Sequence, residues 1–309
     1  MHLGMGVIEK SLLFMLFYEK SDRREDKFMN NIKGKKIWTI VFGTYVICYV
    51  FRIFEYFVLR TDQTWIGEAI VHKLMGIFIL FLVAGGLKYK AWEIGFLKED
   101  IFKNLLKGLL FGCGVFVIAY GVETLIAVSQ GTFKSLQLYV STYAVNHNTG
   151  HQTEVMFFLI CIIGNIVNVV MEEGIFRGLF TKIFNQKYSF IVSAIISSGL
   201  FGFWHMVGPV RNYFDDTMSM GSMIANIIML VVTSALVGFK FAMLTKMTGS
   251  LYMAMGDHFV NNTIVNILHV VSDTGVDEGM VIRVAIAQSL SFILVLIFYI
   301  KQCCKKISN

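Results

Sequence analysis

The chain has 309 residues, 56% of them hydrophobic and 16% charged, with a mean hydropathy of +0.65, a single proline and a net charge of +6. Soluble domains carry roughly 25% charged residues, so this composition excludes a soluble globular domain and is that of an integral membrane protein. The positive balance does not indicate a nucleic-acid partner, because such a footprint needs basic residues gathered on one soluble face, and here they fall between apolar runs.

Taken in chain order, residues 7–18 form a short apolar stretch interrupted by Glu9 and Lys10. It is too short to span and lacks the small-residue cleavage site of a signal peptide, so it reads as an interfacial helix. Runs of the length that crosses a ~30 Å hydrocarbon core follow. They cover residues 37–59, 66–87, 105–128, 155–180, 188–207, 223–244, 251–270 and 281–300. The expected fold is an all-α polytopic bundle of about eight spans enclosing a polar cavity. A β-barrel is excluded, since its strands would alternate over about ten residues. The expected organisation is a cytoplasmic N-terminal segment (1–36), a transmembrane helical domain (37–300) and a basic cytoplasmic tail (301–309).

Basic residues alternate from one connection to the next. Lys20, Arg23, Arg24, Lys27, Lys33, Lys35 and Lys36 precede the first run, while the next connection holds little beyond Arg60 and Asp62. By the positive-inside rule this predicts both termini on the cytoplasmic side of the cell membrane. Cys48, Cys113 and Cys161 lie in apolar runs and Cys303 and Cys304 at the inner end, which does not suggest a framework of extracellular disulfides.

Four polar side chains sit deep in the later runs: Glu172, His205, His258 and Asn262. Ionisable groups in such segments are expensive and mark functional sites by default. In the run 155–180, Glu173 and Arg177 are four apart and can pair. Glu172 points about 100° away from Glu173, so it is expected to be the free carboxylate, with Asn165 and Asn168 extending its polar stripe. His205 ends the run that contains Phe201, and His258, Asn262 and Asn266 recur every four residues on one face of the seventh run. A carboxylate, two imidazoles and a carboxamide meeting in one pocket could activate water and stabilise an oxyanion, or Glu172, His205 and His258 could hold zinc. The chain has no H-E-x-x-H, G-x-S-x-G, G-x-G-D, phosphate-loop or C-x-x-C motif.

These residues resemble the CPBP intramembrane endopeptidases, which group the type II CAAX prenyl proteases with bacteriocin-processing and self-immunity proteins. The family pattern of E-E-x-x-x-R, F-x-x-x-H and H-x-x-x-N is met by Glu172-Glu173 with Arg177, Phe201 with His205, and His258 with Asn262, in that order, over about residues 105–270. The resemblance implies that Glu172 and His205 activate the attacking water and that His258 and Asn262 stabilise the oxyanion. Glu173, Arg177 and Phe201 are then supporting residues. It implies a membrane-associated peptide substrate, prenylated or bacteriocin-like, with lipid as the surrounding partner and no nucleic acid. No cofactor is expected, because the H-x-x-x-N element supplies an oxyanion donor rather than an evident third ligand; zinc is the alternative. Two rival readings keep the same residues: a non-catalytic peptide-binding immunity or scaffold protein, and a proton-coupled transporter whose carboxylate and histidines form a relay. Against the transporter stands the absence of paired repeats with broken helices.

Overall fold

The computed structural model describes residues 34–64, 66–141 and 150–308. Helix α1 (Gly34–Phe54) runs on through a π-helical turn (Glu55–Leu59) and stops at Arg60, which adopts a left-handed conformation with φ 49°. Helix α2 (Val71–Gly86) is followed by α3 (Ile101–Ser129), then strand β1 (Phe133–Leu138). Helix α4 (Val155–Glu172) changes to π-helical winding over Glu173–Phe180 and returns to α over Thr181–Phe184. Helices α5 (Phe190–Trp204), α6 (Val207–Phe214), α7 (Met220–Thr248) and α8 (Tyr252–Ile267) complete the central part. Strand β2 (Leu268–Ser272) pairs antiparallel with β1, and α9 (Met280–Ser308) closes the bundle.

Among the described residues, six helical stretches are long and apolar enough to cross a membrane: Lys36–Gln63, Ile101–Ser129, Val155–Phe184, Phe190–Phe214, Met220–Thr248 and Met280–Lys305. The two remaining runs expected as spans, 66–87 and 251–270, form helices of only 16 residues each. In the first, the turn around Gly67 leaves the helix to begin at Val71. In the second, residues from Leu268 onward pair as β2, although they continue the apolar pattern of α8. The connection after α3 contributes β1 to the same two-stranded sheet. Residues 301–308 of the expected basic tail continue α9. The interfacial helix expected at 7–18 lies outside the described residues.

Helix α4 is the centre of the bundle. Met171, Ile175, Phe176, Leu179, Phe180, Ile183 and Phe184 are buried and pack with residues of α1, α2 and α5 in the largest apolar core. Outward-facing positions are apolar too, among them Phe78, Val117, Leu125 and Val232, as befits helices whose outer surface meets lipid rather than water. Helices α3 and α8 approach most closely through glycines. A Cβ on Gly108 would lie 2.2 Å from the Met253 carbonyl oxygen, and one on Gly256 would lie 2.6 Å from that of Leu105. Small residues at such a crossing let two backbones pack without a side chain between them. The crossing fixes α8, and hence His258 and Asn262, against the bundle.

Candidate active site

Glu172, His205, His258 and Asn262 all line one cavity of about 420 Å³, reached by side chains from α1, α4, α5, α7, α8 and α9. Glu172 ends the regular part of α4 and is almost fully buried. Its Oε1 accepts a hydrogen bond from Trp204 Nε1 at 3.0 Å and its Oε2 accepts one from Asn168 Nδ2 at 3.1 Å. The Arg52 guanidinium stands 4.0 Å from Oε1. Glu172 is therefore held by hydrogen bonds from α4 and α5 and by the Arg52 cation of α1, not left free. Each oxygen still has capacity to accept a further hydrogen bond.

His205 follows the last residue of α5, and its Nδ1 donates to the Phe201 carbonyl at 2.8 Å. A carbonyl can only accept, so Nδ1 carries the hydrogen and the neutral ring presents a lone pair at Nε2. The Phe201 ring packs edge-on against His205, with centroids 4.7 Å apart, and faces His258 from 6.2 Å.

His258 stands between the two adjacent glutamates. Its Nδ1 lies 2.8 Å from Glu173 Oε1 and its Nε2 lies 3.6 Å from Glu172 Oε2. Side chains on neighbouring helical residues diverge, yet the nitrogens of one imidazole face apart and can meet both. Glu173 thus does more than pair with Arg177, although that ion pair is present at 3.3 Å. The guanidinium of Arg177 also donates through Nε to the Gly238 carbonyl at 3.2 Å and stacks over Phe201 at 4.0 Å. Gly238 is required there: a Cβ would come within 2.7 Å of an Arg177 nitrogen.

Asn262 lines the cavity one helical turn beyond His258, and its Oδ1 accepts from Asn261 Nδ2 at 3.0 Å. Its Nδ2 makes no hydrogen bond among the described residues.

Several polar residues around the cavity were not singled out by their sequence. Arg52 donates to His72 Nε2 at 3.3 Å, and His72 Nδ1 lies 2.5 Å from Glu55 Oε2. Glu55 also accepts from the backbone nitrogens of Val71 and His72 at 2.8 and 2.5 Å, so it caps the start of α2 from another helix. Glu68 and Lys73 pair at 2.5 Å, and Asn261 and Gln288 join the lining. The signal that could have found Arg52, Glu55 and Lys73 is the one that found Glu172, namely a charged residue inside an apolar run.

The alternative zinc set of Glu172, His205 and His258 lines this one cavity. Among the described residues no group of three His, Cys, Asp or Glu side chains is placed to hold a metal ion.

Residues 154–264 match the family model described as Type II CAAX prenyl endopeptidase Rce1-like. This segment is an Rce1-like domain. It runs from the start of α4 through most of α8 and contains Glu172, Glu173, Arg177, Phe201, His205, His258 and Asn262. Arg52, Lys73 and Gln288 lie outside the Rce1-like segment and meet it across the cavity. No curated protein matches the chain. Among the described residues, three span-length helices lie within the Rce1-like segment and three outside it, so the protein is a multi-pass membrane protein whose likeness is to an endopeptidase.

Proposed function

We propose that the protein is an intramembrane endopeptidase of the glutamate-dependent CPBP type. It hydrolyses a peptide bond in a membrane-associated substrate with water activated by Glu172 and His205, and with His258 and Asn262 at the oxyanion. The observation that carries this reading is the protonation pattern of His205. Because Nδ1 is committed to the Phe201 carbonyl, Nε2 is the proton acceptor of the ring, and it belongs to the same cavity as the Glu172 carboxylate. Water held there loses its proton to this pair as its oxygen bonds to the scissile carbonyl carbon. The carbonyl oxygen becomes an oxyanion, for which Asn262 Nδ2 is one donor; His258 Nε2 is the second only in the doubly protonated ring, because Nδ1–H is already directed at Glu173. Return of the proton to the leaving nitrogen breaks the C–N bond and yields a carboxylate and an amine.

The substrate class follows the family description, a prenylated peptide, and the apolar part of the lining supports it: Met229, Leu230, Val237, Val281 and Val284 border the same space as the charged groups. A bacteriocin-like peptide is the second candidate. By the positive-inside rule, the alternation of basic connections supports both termini on the cytoplasmic side.

The test is cleavage by the purified protein in detergent of matched prenylated and unmodified peptides, with and without exhaustive chelation. Turnover is expected to survive chelation and to be abolished in Glu172→Ala, with the yield of extracted monomer little changed. Wild-type-like cleavage by Glu172→Ala would end the assignment of that residue. Activity lost on chelation and restored by stoichiometric zinc would replace the mechanism with a metal-dependent one.

A further inference from the structure

We infer that Lys240, Gln288 and Asn261 are positioning residues that set which end of the Asn262 carboxamide faces the substrate. The inference rests on the proposed hydrolytic reading of the cavity. An ammonium has three donors and no acceptor, whereas a carboxamide has one end of each kind. Lys240, on α7, is buried and its Nζ reaches three acceptors: Asp257 Oδ2 at 2.8 Å, Gln288 Oε1 at 3.1 Å and Ser291 Oγ at 3.1 Å. Ser291 passes its own hydrogen to the Gln288 backbone carbonyl at 3.1 Å. The ammonium thus donates to Gln288 and Ser291 and pairs with Asp257, and because it has nothing to accept with, Gln288 must turn its oxygen toward Lys240.

The rest of the chain has no freedom of direction. Gln288 Nε2 donates to Asn261 Oδ1 at 2.5 Å, and Asn261 Nδ2 donates to Asn262 Oδ1 at 3.0 Å. Asn262 therefore has its acceptor end occupied and its donor end left over, in a side chain that lines the cavity. Without this chain the amide could present either end at little cost, and an oxygen turned toward an oxyanion would repel it. The polarity is set by a charge on α7, passed through α9, and delivered to α8. Lys240 is itself held by Asp257, which precedes His258 in the same helix.

The decisive variant is Gln288→Glu in the full-length protein. The carboxylate keeps an acceptor for Lys240 but offers only acceptors to Asn261. Asn261 must then turn its Nδ2 toward residue 288 and its oxygen toward Asn262, whose Nδ2 is drawn out of the cavity. With a peptide that the wild type cleaves, kcat is expected to fall roughly 10²–10³-fold, the loss typical of one oxyanion donor, with KM within about twofold. Asn261→Asp, which keeps the bond from Gln288 but cannot donate to Asn262, is expected to do the same. In an Asn262→Ala background neither change should lower kcat further, because the donor they reorient is already gone.

A Gln288→Glu enzyme with wild-type kcat overturns the inference, as does a kcat loss that multiplies with that of Asn262→Ala. If Gln288→Glu is not recovered as folded monomer, Asn261→Asp decides by the same criteria. A wild type that cleaves nothing, or an Asn262→Ala enzyme as fast as wild type, refutes the hydrolytic reading itself and takes the inference with it.

Discussion

His258 Nδ1 and Glu173 Oε1 are 2.8 Å apart, in a pair excluded from solvent, and the same Glu173 oxygen lies 3.3 Å from the Arg177 guanidinium. One carboxylate thus orients the imidazole of α8 and compensates a cation one turn along its own helix. The two demands can be separated by substitution.

Glu173→Ala removes both. It leaves Arg177 as an unpaired buried charge, a change that typically costs about 3–5 kcal/mol, so the amount of folded monomer extracted in detergent should fall sharply. Glu173→Gln keeps an oxygen that one of the two donors can use. It is expected to restore much of the yield while turnover stays depressed. Wild-type yield for Glu173→Ala would show that Arg177 does not depend on this carboxylate.

Trp204 is packed among Tyr45, Tyr49 and Phe176, yet its Nε1 donates to Glu172. Trp204→Phe retains most of the apolar ring and deletes the donor. A hydrogen bond to a charged group contributes about 1.5–3 kcal/mol, so a loss of turnover on the order of tenfold or more is expected, with a smaller change in thermal stability than Trp204→Ala produces. Unchanged kcat in Trp204→Phe would make the indole a packing group only.

Acid should weaken a site outside the spans. Asp277 receives hydrogen bonds from His269 Nδ1 at 3.0 Å and from Arg283 at 2.7 Å. Burial alone raises a carboxyl, but these bonds and the neighbouring charges outweigh it and hold Asp277 below the ordinary carboxylate range. A lowered folded-state value contributes stability that is complete above the unfolded value of about 4 and is lost as pH falls through the folded value. The difference in Tm between wild type and Asp277→Asn should therefore be largest near neutrality and narrow below about pH 4. A difference that stays constant down to the lowest accessible pH would show that Asp277 is not the group titrating.

What could be read in the sequence was set by spacing. Glu173 with Arg177, Phe201 with His205, and His258 with Asn262 each recur at four residues, which helical geometry turns into shared faces, and all of them belong to the cavity or its immediate support. Contacts between helices distant in the chain carry no such period. Nothing local in Gln288 marks it as the partner of both Lys240 and Asn261, and Trp204 reads as packing until Glu172 is found at its nitrogen. The end of α8 was hidden for another reason: Leu268, Val270 and Val271 continue its apolar run while forming a strand with β1. Only the partner strand distinguishes the two.

The link from Glu55 through His72 to Arg52 ties the first helix to Glu172 and to the start of the second. The boundary of family likeness is therefore not the boundary of the working unit. A piece trimmed to residues 154–264 would keep every motif residue and lose the guanidinium beside the carboxylate at its heart. Whatever ancestry that segment records, in this chain its chemistry is held together by helices that carry no motif of their own.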